Sequence, residues 1–197
     1  MAEGSYHHGN LRAALLERAE EVLAESGAVG LSLRGLARDL GVSHAAPTRH
    51  FRDRQAVLDA LVVDGFTDLN RRMEAAGEGP GPVEQRMASL GRAYVGFATE
   101  RPALLELMFT VKHEKEPDAE IRVLGHRSLE IAAGLIAEAQ RTGAVRSGDA
   151  VRLAQVAFST VHGLAVLAVG DLLDGAPVGE ATELALEILL TGLRGTP

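Results

Sequence analysis

Apolar residues in this chain recur at intervals of three and four, and no segment alternates with period two over a useful length, which predicts an all-helical protein. Leu11, Leu15, Ala19, Val22 and Leu23 make the buried stripe of a first helix that Asn10 can cap and Gly27 can stop, with acids and arginines on its other faces. In the stretch from Ser32 to Phe51, SLRGLARDLGVSHAAPTRHF, Ser32 caps a short helix whose Leu36, Ala37 and Leu40 share one face. Gly41 can take the positive φ that ends a helix sharply, and Val42 points back into the same small core. Ser43 sits where its side-chain oxygen can cap a second short helix. Asp53 can then cap a long helix with the stripe Leu58, Leu61, Val62, Gly65, Leu69 and Met73, broken by GEGPGP from Gly77 to Pro82. Further helices are expected over Val83–Thr99, Pro102 to about His113, Ala119–Thr142, Asp149 to about Leu173 and Glu180–Leu193, with the polar loop KHEKEPD before the third of these.

Two short helices at a steep angle around a tight turn form a helix-turn-helix, whose second helix in many proteins enters the major groove of DNA while the first crosses the backbone. The plain alternative is a helical hairpin in a core, since Leu, Ala and Gly at such spacings are common. Charge decides between them. From Arg34 to Arg54 five arginines (Arg34, Arg38, Arg49, Arg52, Arg54) face two acids (Asp39, Asp53), so the segment is net +3 in a chain of net charge −7. His44 and His50 add donors. A basic patch in an acidic protein suits a phosphate partner, because overall acidity limits nonspecific adhesion while the patch still binds.

Composition narrows the alternatives. With 197 residues, 46% hydrophobic and 24% charged, the chain can bury one large core or two small ones. It has no cysteine, hence no disulfide, thiolate metal site or cysteine nucleophile. MAEGSYHHGNLR lacks an apolar signal core, so a cytoplasmic protein is expected. Leu153–Gly170 is apolar enough to resemble a membrane span, but it carries Gln155, Ser159, Thr160 and His162 with acids near both ends, so burial by protein is expected. The glycines of GEGPGP follow a helix and precede no Lys-Ser or Lys-Thr, which argues for a connection and against a phosphate loop. There is no Gly-x-Ser-x-Gly elbow, and His113-Glu114 lacks the second His of a zinc protease motif. No enzyme, cofactor or metal site is therefore expected. His7 and His8 lie in a polar arm, where solvated or DNA-proximal histidines are commoner than metal ligands.

The capped first helix, the SLRGLARDLGVS helix and turn, the short helix ending in RHF and the basic start at DRQAVLDAL together resemble the TetR family of bacterial transcriptional regulators over about the first quarter of the chain. Val161-His162-Gly163 resembles the Trp-His-Gly signature of one TetR subgroup, with Val in place of Trp, and YHHGNLR fits that subgroup too. The resemblance implies an all-α fold, with a three-helix helix-turn-helix domain over 1–53 and a ligand-binding and dimerisation domain over 54–197. It implies that Ser32 caps its helix and touches a phosphate, that Arg34 reaches base edges, and that His44 and Ala45 face the groove. Thr48 stands where the family usually has Tyr, which shortens one phosphate contact although a Thr hydroxyl can still donate. His50 matches a frequent aromatic or His, Arg54 stands for a phosphate-binding Lys, and Ser43 and Arg49 complete the DNA-facing set. Pro47 leaves two possibilities open: an α-helix from Ser43 that forfeits one hydrogen bond at its first turn, or a looser turn with the regular helix starting nearer Pro47.

The function implied is a homodimeric repressor, joined through its two C-terminal helices, that releases a palindromic double-stranded operator when a small, mostly apolar effector binds. The alternative is a constitutive DNA-binding protein without a ligand. Tyr94, Phe97, Met108 and Phe109, with His162, are the expected pocket residues. His162 on an apolar helix also fits a hydrogen-bonded core or interface position. The helix beginning at Asp53 is expected to be the only covalent element able to carry a shift from pocket to DNA.

Overall fold

A computed structural model describes residues 11–112 and 118–194. Among these the chain is all-α: α1 (Leu11–Gly30), α2 (Leu33–Asp39), α3 (Arg54–Gly77), α4 (Val83–Glu100), α5 (Pro102–Lys112), α6 (Ala119–Arg141), α7 (Ala150–Val169) and α8 (Val178–Leu193). A three-residue 3-10 helix, Pro47–Arg49, lies between α2 and α3. By packing, the chain divides into one unit up to Gly65 together with Ala103–Asp118, and a second of Phe66–Pro102 with Ala119 onward. This division falls inside α3, not at the 53/54 boundary expected from the sequence, and it assigns α5 to the first unit. The chain therefore passes between the units three times, at Gly65–Phe66, Pro102–Ala103 and Asp118–Ala119, so α3 is not the only covalent link.

In the first unit α1 buries Leu15, Leu16, Ala19 and Leu23, and it breaks at Gly27, whose φ of 68° and ψ of 179° lie in a region essentially reserved for glycine. The Asn10 cap and the His7-His8 pair fall outside the described residues. Ser32 Oγ accepts from Gly35 N at 3.1 Å, the expected cap of α2. At the other end Gly41 has φ 66°, its amide donates to Arg38 O, and Val42 N reaches Ala37 O at 2.9 Å. These are the two bonds of a Schellman C-cap, and they aim Val42 back toward α2. Asp53 Oδ1 accepts from Ala56 N at 2.8 Å and starts α3.

The second unit is a helical bundle in which α7 packs on α4, α6 and α8, and α4 packs on α6 and α8. Val83, Leu135, Ile136, Ala139, Ala154 and Leu193 form part of its core. The Asp149 carboxylate accepts from Val151 N and Arg152 N, as expected of a helix cap. Helix α7 ends earlier than the apolar run suggests. Asp171 turns to φ 55° and Leu172 N bonds Leu167 O at 2.8 Å, closing the helix four residues before Leu173. By length and composition α7 could cross a membrane, and only 22% of its most apolar window is buried within this chain. Val156, Val166 and Leu167 on α7 and Leu184 and Ile188 on α8 stand exposed.

Candidate nucleic-acid interface and ligand cavity

Every residue proposed to meet DNA (Ser32, Arg34, Ser43, His44, Ala45, Thr48, Arg49, His50 and Arg54) is exposed, while Leu36, Ala37, Pro47 and Phe51 are buried beneath them. The backbone carrying these residues departs from the expected α-helix. Ala46 N donates to Ser43 O at 2.9 Å, so the amide that a Ser43 cap would take is used by the backbone, and Ser43 caps nothing among the described residues. Pro47, without an N–H, cannot bond back to Ser43 O, and the chain turns at 44–46 before entering the 3-10 helix. This is the looser of the two possibilities, carried further, since no regular α-helix begins between Pro47 and the start of α3 at Arg54. His50 N and Phe51 N both return to Pro47 O at 2.9 Å.

Side-chain hydrogen bonds sort the basic residues. Asp39 is taken by Arg18 and Arg38, and Arg52 pairs with Asp53 at 3.2 Å. Arg34 and Arg49 have no ion pair among the described residues, so both guanidiniums are available to a phosphate or a base. Arg54 Nη2 donates to Ala28 O at 2.5 Å, which ties the start of α3 to the turn after Gly27. Thr48 Oγ1 donates to Ala45 O at 2.9 Å, so in this conformation its proton is spent inside the turn and is not offered to a phosphate.

In the second unit an apolar cavity of about 60 Å³ is walled by Met73, Met87, Leu90, Tyr94, Leu129 and Leu186, among others. The five residues expected to line a pocket are not brought together. Tyr94 is on the wall, and its hydroxyl lies 2.7 Å from His162 Nδ1, with the His162 ring stacked on Phe158. Burial pushes the Tyr94 phenol upward and the His162 imidazole downward from their ordinary pKa values, so both are neutral at pH 7. Phe97 is fully buried away from the cavity, between the guanidiniums of Arg72 and Arg101, each 5.5 Å from its ring centre. Met108 and Phe109 belong with α5 to the first unit. Sequence reasoning missed the methionine and leucine walls, which periodicity marks only as core. It also missed the buried pair of Asn70 and Ser128, joined at 2.6 Å. The signal for that pair was present, because Asn70 is a polar residue at an apolar-stripe position between Phe66 and Met73.

Comparison with known proteins fits this arrangement. The model for the tetracyclin repressor-like C-terminal domain matches residues 87–193, and the one for bacterial regulatory proteins of the tetR family matches 15–61. The chain belongs to the TetR family. An HTH-type transcriptional regulator of Mycobacterium tuberculosis is 30% identical over 150 residues, which span 72% of this TetR-family chain and 62% of that relative's length. A structure of a protein of unknown function from Rhodococcus sp. RHA1 is 48% identical with a TM-score of 0.90, covering 97% of this chain and 99% of that one. The FadR regulator of Bacillus subtilis, solved in complex with stearoyl-CoA, is 18% identical with a TM-score of 0.77 over 93% of this chain and 100% of its own, a likeness of fold.

Proposed function

We propose that this TetR-family protein is a ligand-responsive transcriptional repressor acting in the cytoplasm. The helix-turn-helix, with Arg54 at the start of α3, holds a palindromic operator; the second unit forms a homodimer through α7 and α8 and takes up a small, mostly apolar effector that weakens the grip on DNA. The observation that carries this reading is the apolar cavity, because a protein that only bound DNA and dimerised would gain stability by filling it. The FadR complex, same in fold, supports a lipophilic class of effector by analogy.

One observation favours the constitutive alternative. A cavity of about 60 Å³ holds no drug-sized ligand as it stands, so an effector must widen it. The deciding experiment selects an operator from random duplexes with the purified full chain, then measures binding while apolar compounds found by thermal shift are titrated in. Release by a compound that stabilises the protein is the expected result. Stabilising compounds that leave operator affinity unchanged would establish the constitutive reading instead.

A further inference from the structure

A second compartment lies against the cavity. An open groove of about 800 Å³ runs between α3 and α6, lined by residues including Asn70, Arg71, Glu74, Arg122 and Arg127. Asn70 is on the groove wall and Ser128 on the cavity wall, and the two are hydrogen-bonded to each other. The apolar cavity and the groove are thus separated at this place by one pair of side chains. Asn70 Nδ2 also donates to Leu124 O at 2.9 Å, so the buried amide is partnered. A Leu or Ala would nonetheless close an apolar seam without burying any polar atom. The seam between the two compartments is therefore closed at this place by two hydrogen-bonded side chains and not by apolar packing alone.

Charge in the groove indicates what would enter. Arg71 is held by Asp68 at 2.5 Å, and Arg127 by Glu74 at 2.8 Å and Glu130 at 3.6 Å. Arg122 is exposed and has no ion-pair partner among the described residues. Beside it Val123 is 67% exposed, apolar surface at the same rim. Glu74 and Glu130 share Arg127, so what the groove offers an anion is the one lining arginine without an ion pair among the described residues, Arg122, beside apolar surface.

We infer that the effector is an amphiphile with a single negatively charged group, its apolar chain passing between Asn70 and Ser128 into the cavity and its head group resting on Arg122 in the α3/α6 groove. This rests on reading the cavity as the effector site. The test is titration calorimetry on the full chain with octanoate and with octanol, which share a chain and differ in charge. Octanoate binds about five- to tenfold more tightly, the scale of one charge-assisted contact at a partly exposed site, and added salt narrows the gap. In Arg122→Glu, a surface change that leaves the core intact, the preference disappears while octanol affinity stays the same. In Ala132→Phe, which fills the cavity, both ligands lose affinity; circular dichroism checks its fold, and the two-ligand comparison does not depend on it. Equal affinity for octanoate and octanol in the unaltered chain overturns the head-group site and leaves the cavity reading intact. Persistence of the preference in Arg122→Glu overturns the role of that residue. Failure of both ligands to bind overturns the cavity reading and the inference with it.

Discussion

Arg34 and Arg54 carry the same charge within twenty residues of each other, yet their side chains are engaged differently within the fold. Arg34, exposed and without an ion pair among the described residues, is free to make a bidentate contact with a base. Its replacement by Ala is expected to cost about 1–3 kcal/mol at one base pair of each half-site and little elsewhere. Arg54 spends one donor on Ala28 O, so Arg54→Ala should weaken binding to all sequences alike, flatten the salt slope by about one unit, and also cost about 0.5–1.5 kcal/mol of stability. Operator variants titrated at several salt concentrations, with thermal melts beside them, separate the two; the same sequence-blind loss from both would erase the distinction. His162 gives a second prediction at this scale. Burial lowers its folded pKa below the ordinary 6.5, so the unfolded chain binds the proton more readily. Its contribution to stability is therefore full above about pH 6.5 and is lost as pH falls through the folded value. His162→Gln should flatten the dependence of denaturation midpoint on pH in that acidic range, and an unchanged slope would show that other groups set it.

At the scale of elements, what could be read in advance was what is decided locally. Ser32, Gly41, Asp53 and Asp149 each mark a helix end by chemistry confined to a few residues, and each does so in the structure. Association between distant segments was less legible: the stripe of α5 predicts a helix but not which unit takes it, and no local pattern tells a cavity wall of Met73 and Leu129 from plain core. Asn70 was legible in principle as a misfit on the stripe of α3, but its partner Ser128 is 58 residues away. The segment after Gly41 lies between these cases, because Pro47 left two conformations open and only the bonds of Ala46, Arg49 and His50, each to the carbonyl three residues back, select the 3-10 form. Pro47→Ala should restore the amide, so the Cα chemical shifts of residues 44–48 move toward helical values and operator affinity changes while α1 and α3 keep their shifts. Unchanged shifts at 44–48 would mean that packing, not proline, holds the 3-10 form.

At the scale of the molecule the exposed faces of α7 and α8 need cover, and in the proposed homodimer a second copy supplies it: two such helices from each chain would make a four-helix interface. Ile188→Glu, at a position 64% exposed in the single chain, should give a folded monomer by light scattering and lose most operator affinity, since a two-fold dimer engages two half-sites about 34 Å apart and a monomer only one. A dimer that survived Ile188→Glu together with Val156→Glu would place the interface elsewhere. Control is a property of the same whole. A ligand shifts the balance of two states only by binding one of them better, and whatever factor the effector takes from operator affinity, the operator must take from effector affinity, because one coupling free energy serves both. The units are joined by three chain crossings, so this coupling need not run through α3 alone. Calorimetry of octanoate, or of any effector found, against the free dimer and against the dimer saturated with operator should therefore return two affinities whose ratio equals the ratio of operator affinities with and without effector. Equal effector affinities in the two titrations would leave a binding site that has no part in regulating DNA binding.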